Sequence, residues 1–143
     1  MRQINEDIRQ QQLTQVYLLY GQERYLRRQY RDKLRKALCQ EGDTMNTHFF
    51  EGKDINLGEI VDLAETLPFF SDRRVIFITD SGLFKSGGEK MAEYLANPNE
   101  STFFVFTESE VDKRSKLYKA VQGKGYAAEF AEQDERTLKR WVA

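Results

Sequence analysis

Three runs in this chain leave little choice of architecture: Val16-Tyr17-Leu18-Leu19-Tyr20, Val75-Ile76-Phe77-Ile78 and Thr102-Phe103-Phe104-Val105-Phe106-Thr107. Each is an unbroken stretch of aliphatic, aromatic and β-branched side chains. A strand with one wet face alternates apolar with polar residues, whereas an unbroken run fits a strand covered on both faces, as in a parallel sheet. Asn46–Glu51, which holds His48-Phe49-Phe50, and the weaker Tyr126–Phe130 read as two further strands.

Helical spacing separates these runs. Leu26, Tyr30, Leu34 and Leu38 fall on one face, with Arg24, Arg27, Arg28, Arg31, Arg35 and Lys36 pointing elsewhere. Leu57, Ile60, Val61, Ala64 and Leu67 follow the same period, and Pro68 opposes helix beyond Leu67. Met91, Tyr94 and Leu95 mark a short helix that ends at Asn97-Pro98. Leu117, Tyr118 and Val121 mark another over Lys113–Gln122, ended by Gly123, with Asp112 as its expected N-cap. A polar helix over residues 2–13 precedes the first strand, and Ser81-Gly82 with Lys85–Gly88 reads as a flexible loop. Strand and helix thus alternate five times, which predicts an α/β fold: an open five-stranded parallel sheet with helices on both faces. A last helical pattern, Asp134 to Val142, has barely begun its Leu138/Trp141 face when Ala143 is reached. The expected organisation is an α/β domain over 1–132 and the start of a second, helical domain at 133–143.

With 143 residues, 40% hydrophobic and 31% charged, the chain can bury a sizeable core. Its longest apolar runs are far too short to span a bilayer, and no apolar leader follows Met1. The single Cys39 excludes an internal disulfide and suits a reducing compartment, so the cytoplasm is the expected location. A net charge of −1 argues against a domain that grips nucleic acid strongly by its phosphates; any DNA contact should be weak or indirect. The lone His48 makes a zinc site unlike anything expected here, and His48 and Cys39 lie in different elements, so no nucleophile–base pair can be assembled.

A first strand, a glycine turn and a helix is where P-loop proteins hold nucleotide. That site needs Gly-x-x-x-x-Gly-Lys-Ser/Thr, because backbone amides wrap the phosphates and the lysine reaches the terminal ones. Here the turn is Gly21-Gln22-Glu23-Arg24-Tyr25-Leu26. The second glycine, the lysine and the hydroxyl are missing, and Glu23 repels phosphate. The Lys85–Lys90 loop has glycines without the spacing. Asp80 ends the Val75 strand, but Ser81 follows where a catalytic glutamate belongs. The residues describe a nucleotide-binding architecture without nucleotide chemistry, and no cofactor is expected.

Leu67-Pro68-Phe69-Phe70 is the anomaly. Four apolar residues stand where the chain should be turning in solvent. They fold back on the core, are displayed for a partner, or divide one ring in and one out. Three apolar anchors received by a pocket would contribute a gross gain of about 5–9 kcal/mol before the costs of association. The arginines at 24, 27, 28, 31 and 35 and the Asp112-Lys113-Arg114 cluster read as solvated faces, with a subunit or DNA contact through Arg24, Arg28, Arg31, Lys113 and Arg114 as the sharper alternative.

Three segments resemble the delta subunit family of the bacterial DNA polymerase III clamp loader, in that family's order: Tyr17–Glu23 with Tyr25-Leu26, Leu67–Val75 paired with Phe103–Thr107, and Val111–Lys119. The resemblance implies a degenerate AAA+/P-loop-like domain without ATP binding, in a non-catalytic subunit of the polymerase III holoenzyme. The implied partners are the sliding clamp (the beta subunit) and the other clamp-loader subunits, and the implied task is to help open the clamp ring for loading on primed DNA. Carried over, the clamp-binding pair falls on Phe69 and Phe70, flanked by Leu67 and Pro68; Arg136–Trp141 would open the second domain. The rival expectations are a P-loop-like nucleotide-binding domain and a structural adaptor working through the Arg24–Arg35 face.

Overall fold

The computed structural model describes residues 2–10, 12–38, 46–66 and 73–130. Helix α1 (Arg2–Gln10) leads into β1 (Val16–Tyr20), α2 (Arg24–Leu38), β2 (Thr47–Glu51), α3 (Leu57–Glu65), β3 (Arg74–Thr79), α4 (Glu89–Leu95), β4 (Thr102–Glu108), α5 (Lys116–Lys124) and β5 (Tyr126–Glu129). The strands pair in parallel in the order β2-β3-β4-β1-β5. The unbroken apolar runs are the buried strands the sequence predicts. Every residue of β1 is buried, as are Arg74 to Ile78 of β3, while β2, at one edge, is half open.

Because side chains alternate along a strand, each run feeds two cores. Val16, Leu18 and Tyr20 face α3, α4 and α5, where they meet Ile60, Ala64, Met91, Leu95, Leu117 and Val121. Tyr17 and Leu19 face α1 and α2, where they meet Ile4, Tyr30, Leu34 and Leu38. The connection after β1 crosses to the far edge of the sheet, and the later ones return, which right-handed crossovers allow only if α2 covers the opposite face from α3–α5. The reversal falls between β4 and β1, where the carboxyl ends of an open α/β sheet leave a crevice for ligands. Helix α1 is pinned over β1 by polar contacts: the Tyr17 hydroxyl donates to Asp7 at 2.7 Å, and the Asn5 amide donates to the Tyr30 hydroxyl at 3.1 Å. Burial, with Asp7 beside it, pushes the Tyr17 phenol up to about 12.

Three expectations need correction. Helix α5 starts at Lys116, not Lys113. Asp112 accepts from the Arg114 amide at 2.9 Å in a local turn, while Ser115 is the cap and accepts from the Tyr118 amide at 3.2 Å. The helix also runs through Gly123 and stops at Gly125. The stretch read as a flexible loop contributes core: Ser81 is buried, and Phe84 sits edge-on to Phe106 with ring centres 5.2 Å apart. The helix expected from Asp134, the boundary at 133, Cys39 and the four apolar residues Leu67–Phe70 lie outside the described residues.

Candidate functional site

At the amino-terminal end of the sheet, side chains of several elements converge on the end of α3 and the start of β3. Helix α3 closes at Thr66, and the next described residue is Arg73, just before β3. Buried Arg74 joins the ends. Its Nε donates to the Thr66 carbonyl at 3.3 Å, its Nη1 lies 2.6 Å from His48 Nε2, and its amide donates to the Ser101 carbonyl at 2.7 Å. Arg73 lays its guanidinium 5.0 Å from the centre of the Phe103 ring. A helix leaves its last four carbonyls without intrahelical partners. In α3 the Ala64 carbonyl is taken by Thr102 Oγ1 at 2.5 Å and by Asn99 Nδ2 at 3.2 Å. Gln15 Nε2 then ties that corner to β1, donating to the Asn99 and Thr102 carbonyls at 2.8 and 3.0 Å. The end of α3 is thereby tied to β3 and β4, and Leu67, Pro68, Phe69 and Phe70 themselves lie outside the described residues.

At the carboxyl-terminal end the turn after β1 is filled by the chain's own groups. Gly21 adopts φ +125°, and a Cβ there would fall on the Phe130 carbonyl oxygen. Its amide donates to the Glu108 carbonyl at 3.2 Å, the Glu23 amide to the Phe130 carbonyl at 2.9 Å, and the Tyr25 amide to the Glu23 carboxylate at 3.2 Å. These are the donors that a phosphate would need. Gln22 is exposed and Glu23 half-buried. Behind the turn sits a charge cluster. Glu108, 2% exposed, accepts from the Ser81 amide at 3.2 Å and from the Ser81 hydroxyl. Burial pushes its carboxyl up to about 7. Arg27 is buried too, its Nε without a hydrogen-bond partner among the described residues. Desolvation lowers its pKa, opposed by the charges of Asp80, Glu108 and Glu23. Asp80, at φ 49°, takes the left-handed turn its residue type tolerates and accepts from the Ser109 hydroxyl at 3.3 Å.

Arg24, Arg28 and Arg31 lie together on α2. Lys113 and Arg114 are not with them. The Lys113 ammonium is 5.9 Å from the Tyr20 ring on the opposite face and 3.9 Å from a Glu129 oxygen; Arg114 is exposed and pairs with Asp112 at 3.2 Å. The solvated arginine face needs correction at Arg27, which turns inward. Stepping back three residues from Tyr30 along the buried 30–34–38 rungs lands on position 27, so the spacing held the signal. Glu108 escaped notice because it simply follows Thr107; its cue is that β4 ends at the topological reversal of the sheet.

The family model described as DNA polymerase III, delta subunit, matches residues 17–130. The curated DNA polymerase III subunit delta of Bacillus subtilis is 28% identical over 130 residues, covering 82% of this chain and 37% of its own length. Among solved structures, the Bacillus subtilis DNA clamp loader delta protein superposes with a TM-score of 0.87 at 22% identity, over 99% of this chain and 45% of that one. A DNA polymerase III gamma subunit-related protein from Thermotoga maritima gives 0.65 at 12% identity, over 96% and 48% of the two chains. RuvB from the same organism gives 0.52 at 15%, over 97% and 45%. The sheet therefore has the AAA+/P-loop-like fold, and the chain spans less than half the length of these relatives. No helix among the described residues is long and apolar enough to cross a membrane. With a family model covering most of its length, the chain belongs to the DNA polymerase III delta subunit family.

Proposed function

We propose that this chain is the clamp-binding domain of a clamp-loader delta subunit. It holds the sliding clamp through Leu67, Pro68, Phe69 and Phe70, helps open the ring for loading on primed DNA, and leaves assembly with the other loader subunits to the rest of the protein, beginning with a helical domain at 133. The observation that carries this reading is the Arg74–Thr66 tie at 3.3 Å, which closes the base of the segment bearing the four apolar residues. A segment held at both ends loses less conformational freedom when a partner receives it. The charge-filled turn at Gly21 supports the same reading, because a domain whose phosphate amides are committed elsewhere acts by binding alone. Two or three apolar anchors form a compact hot spot, and a ring with a second conformation opens when the open form is bound more tightly.

The test is the affinity of the chain for the sliding clamp. Phe69→Ala with Phe70→Ala should weaken it by about a hundredfold or more, since losing two buried anchors costs roughly 3–6 kcal/mol. Unchanged affinity removes the site assignment.

A further inference from the structure

Helix α2 carries seven basic residues and one acid, a net charge of +6 in a chain whose total is −1. Arg24, Arg28, Arg31 and Arg35 follow at intervals of four, three and four, so they form one stripe about 16 Å long on the helix flank. Arg31 pairs with Asp32 at 3.5 Å; Arg24, Arg28 and Arg35 have no ion pair among the described residues. Two large apolar side chains are exposed among those residues, Tyr25 at 70% and Phe49 at 56%, and they sit at the two ends of this stripe. Tyr25 is next to Arg24. Phe49 lies on β2 against the other end, stacked on Phe77 with ring centres 5.0 Å apart and planes 15° apart, and the Arg35 guanidinium stands 5.2 Å from its centre. Phe77 packs with Leu34 and Leu38, so this column rises on the α2 side of the sheet.

We infer that the flank of α2 is a weak binding surface for single-stranded nucleic acid. Arginines at regular spacing match backbone phosphates, and rings at both ends match the faces of unpaired bases. The Phe77–Phe49–Arg35 column offers such a base a platform already assembled, its outer plate a cation. A duplex hides its base faces, and an acidic protein surface would answer the arginines without supplying a flat ring for the Phe49 platform, so neither fits as well. Affinity is modest, because the chain's net charge is slightly negative and Glu51 shares the Phe49 side of β2. This surface is separate from Leu67–Phe70 and stands or falls without the clamp reading.

Fluorescence anisotropy with a labelled thymidine oligonucleotide of about 15 nucleotides, followed from low to moderate salt, tests it. Arg28→Glu with Arg35→Glu should weaken binding at least about tenfold at low salt and flatten the log–log salt slope by about 1.4, the share of two phosphates on a single strand. Phe49→Ala should weaken binding about tenfold with the slope unchanged, Tyr25→Ala similarly, and Phe69→Ala with Phe70→Ala should leave it intact. The arginines and Tyr25 are exposed, so circular dichroism melts of those variants should match the parent, while Phe49→Ala, which loses its stack on Phe77, should melt somewhat lower yet be fully folded at the binding temperature. Failure of the oligonucleotide to bind at low salt overturns the proposal, as does a duplex binding equally well. Indifference to both the arginine and the ring changes overturns it too, as does charge reversal that instead abolishes capture of another loader subunit.

Discussion

The two ends of the sheet are made from the same kinds of residue and put to opposite use. At the carboxyl end, three backbone amides of the turn after β1 are spent on Glu108, Phe130 and Glu23, and a buried arginine faces its own acids. At the amino end, the Arg74, Asn99 and Thr102 side chains are spent on the last carbonyls of α3, and Gln15 braces the Asn99 and Thr102 backbone behind them. The donors at one end are thus turned inward on the fold's own groups, while those at the other end close a helix terminus beside the position where the proposed clamp contact begins.

The largest effect expected from breaking the contrast is at Gly21. Gly21→Ala combines a positive φ with a collision against the Phe130 backbone, and should cost about 3–5 kcal/mol in urea unfolding. A cost under about 1 kcal/mol would mean that the turn is not closed as described. Next comes Glu108. Its folded pKa, about 7, is raised above its ordinary 4.5, so between those values the native state keeps a proton the unfolded chain has lost. This group's contribution is therefore most favourable below about pH 4.5 and declines as pH rises to about 7, by on the order of 3 kcal/mol. Glu108→Gln should flatten that decline and make the chain relatively more stable at pH 8 than at pH 5, which denaturant melts at the two pH values would show.

The amino end should respond differently. Arg74→Met removes the Thr66 and His48 contacts, and is expected to cost about 1–3 kcal/mol of stability. It should also weaken clamp binding several-fold, because the segment's base is no longer tied; stability lost with clamp affinity unchanged would separate the frame from the function. Thr102→Val, which deletes one donor to Ala64, should cost about 1 kcal/mol and sharpen how much of the frame each hydrogen bond supplies.

The sheet was legible because its strands are unbroken apolar runs, and a run covered on both faces has few other homes. Most of α2 is legible by period, but Arg27 is not, because a guanidinium among the other basic side chains of the helix looks solvated although its spacing from Tyr30 turns it inward. The closed turn was half visible: the missing lysine and second glycine were plain, but the group that fills the space, the Phe130 backbone, lies more than a hundred residues away and only the β1–β5 pairing brings it there. The Ala64 cap was not legible, since Asn99 and Thr102 look like ordinary turn and strand residues until the fold places them over the end of α3.

Hydrogen–deuterium exchange of this chain with and without the sliding clamp tests the contrast most directly. Clamp addition should slow exchange across residues 66–74 and leave 21–27 as they were. Slowed exchange at 21–27, with 66–74 unchanged, would contradict it.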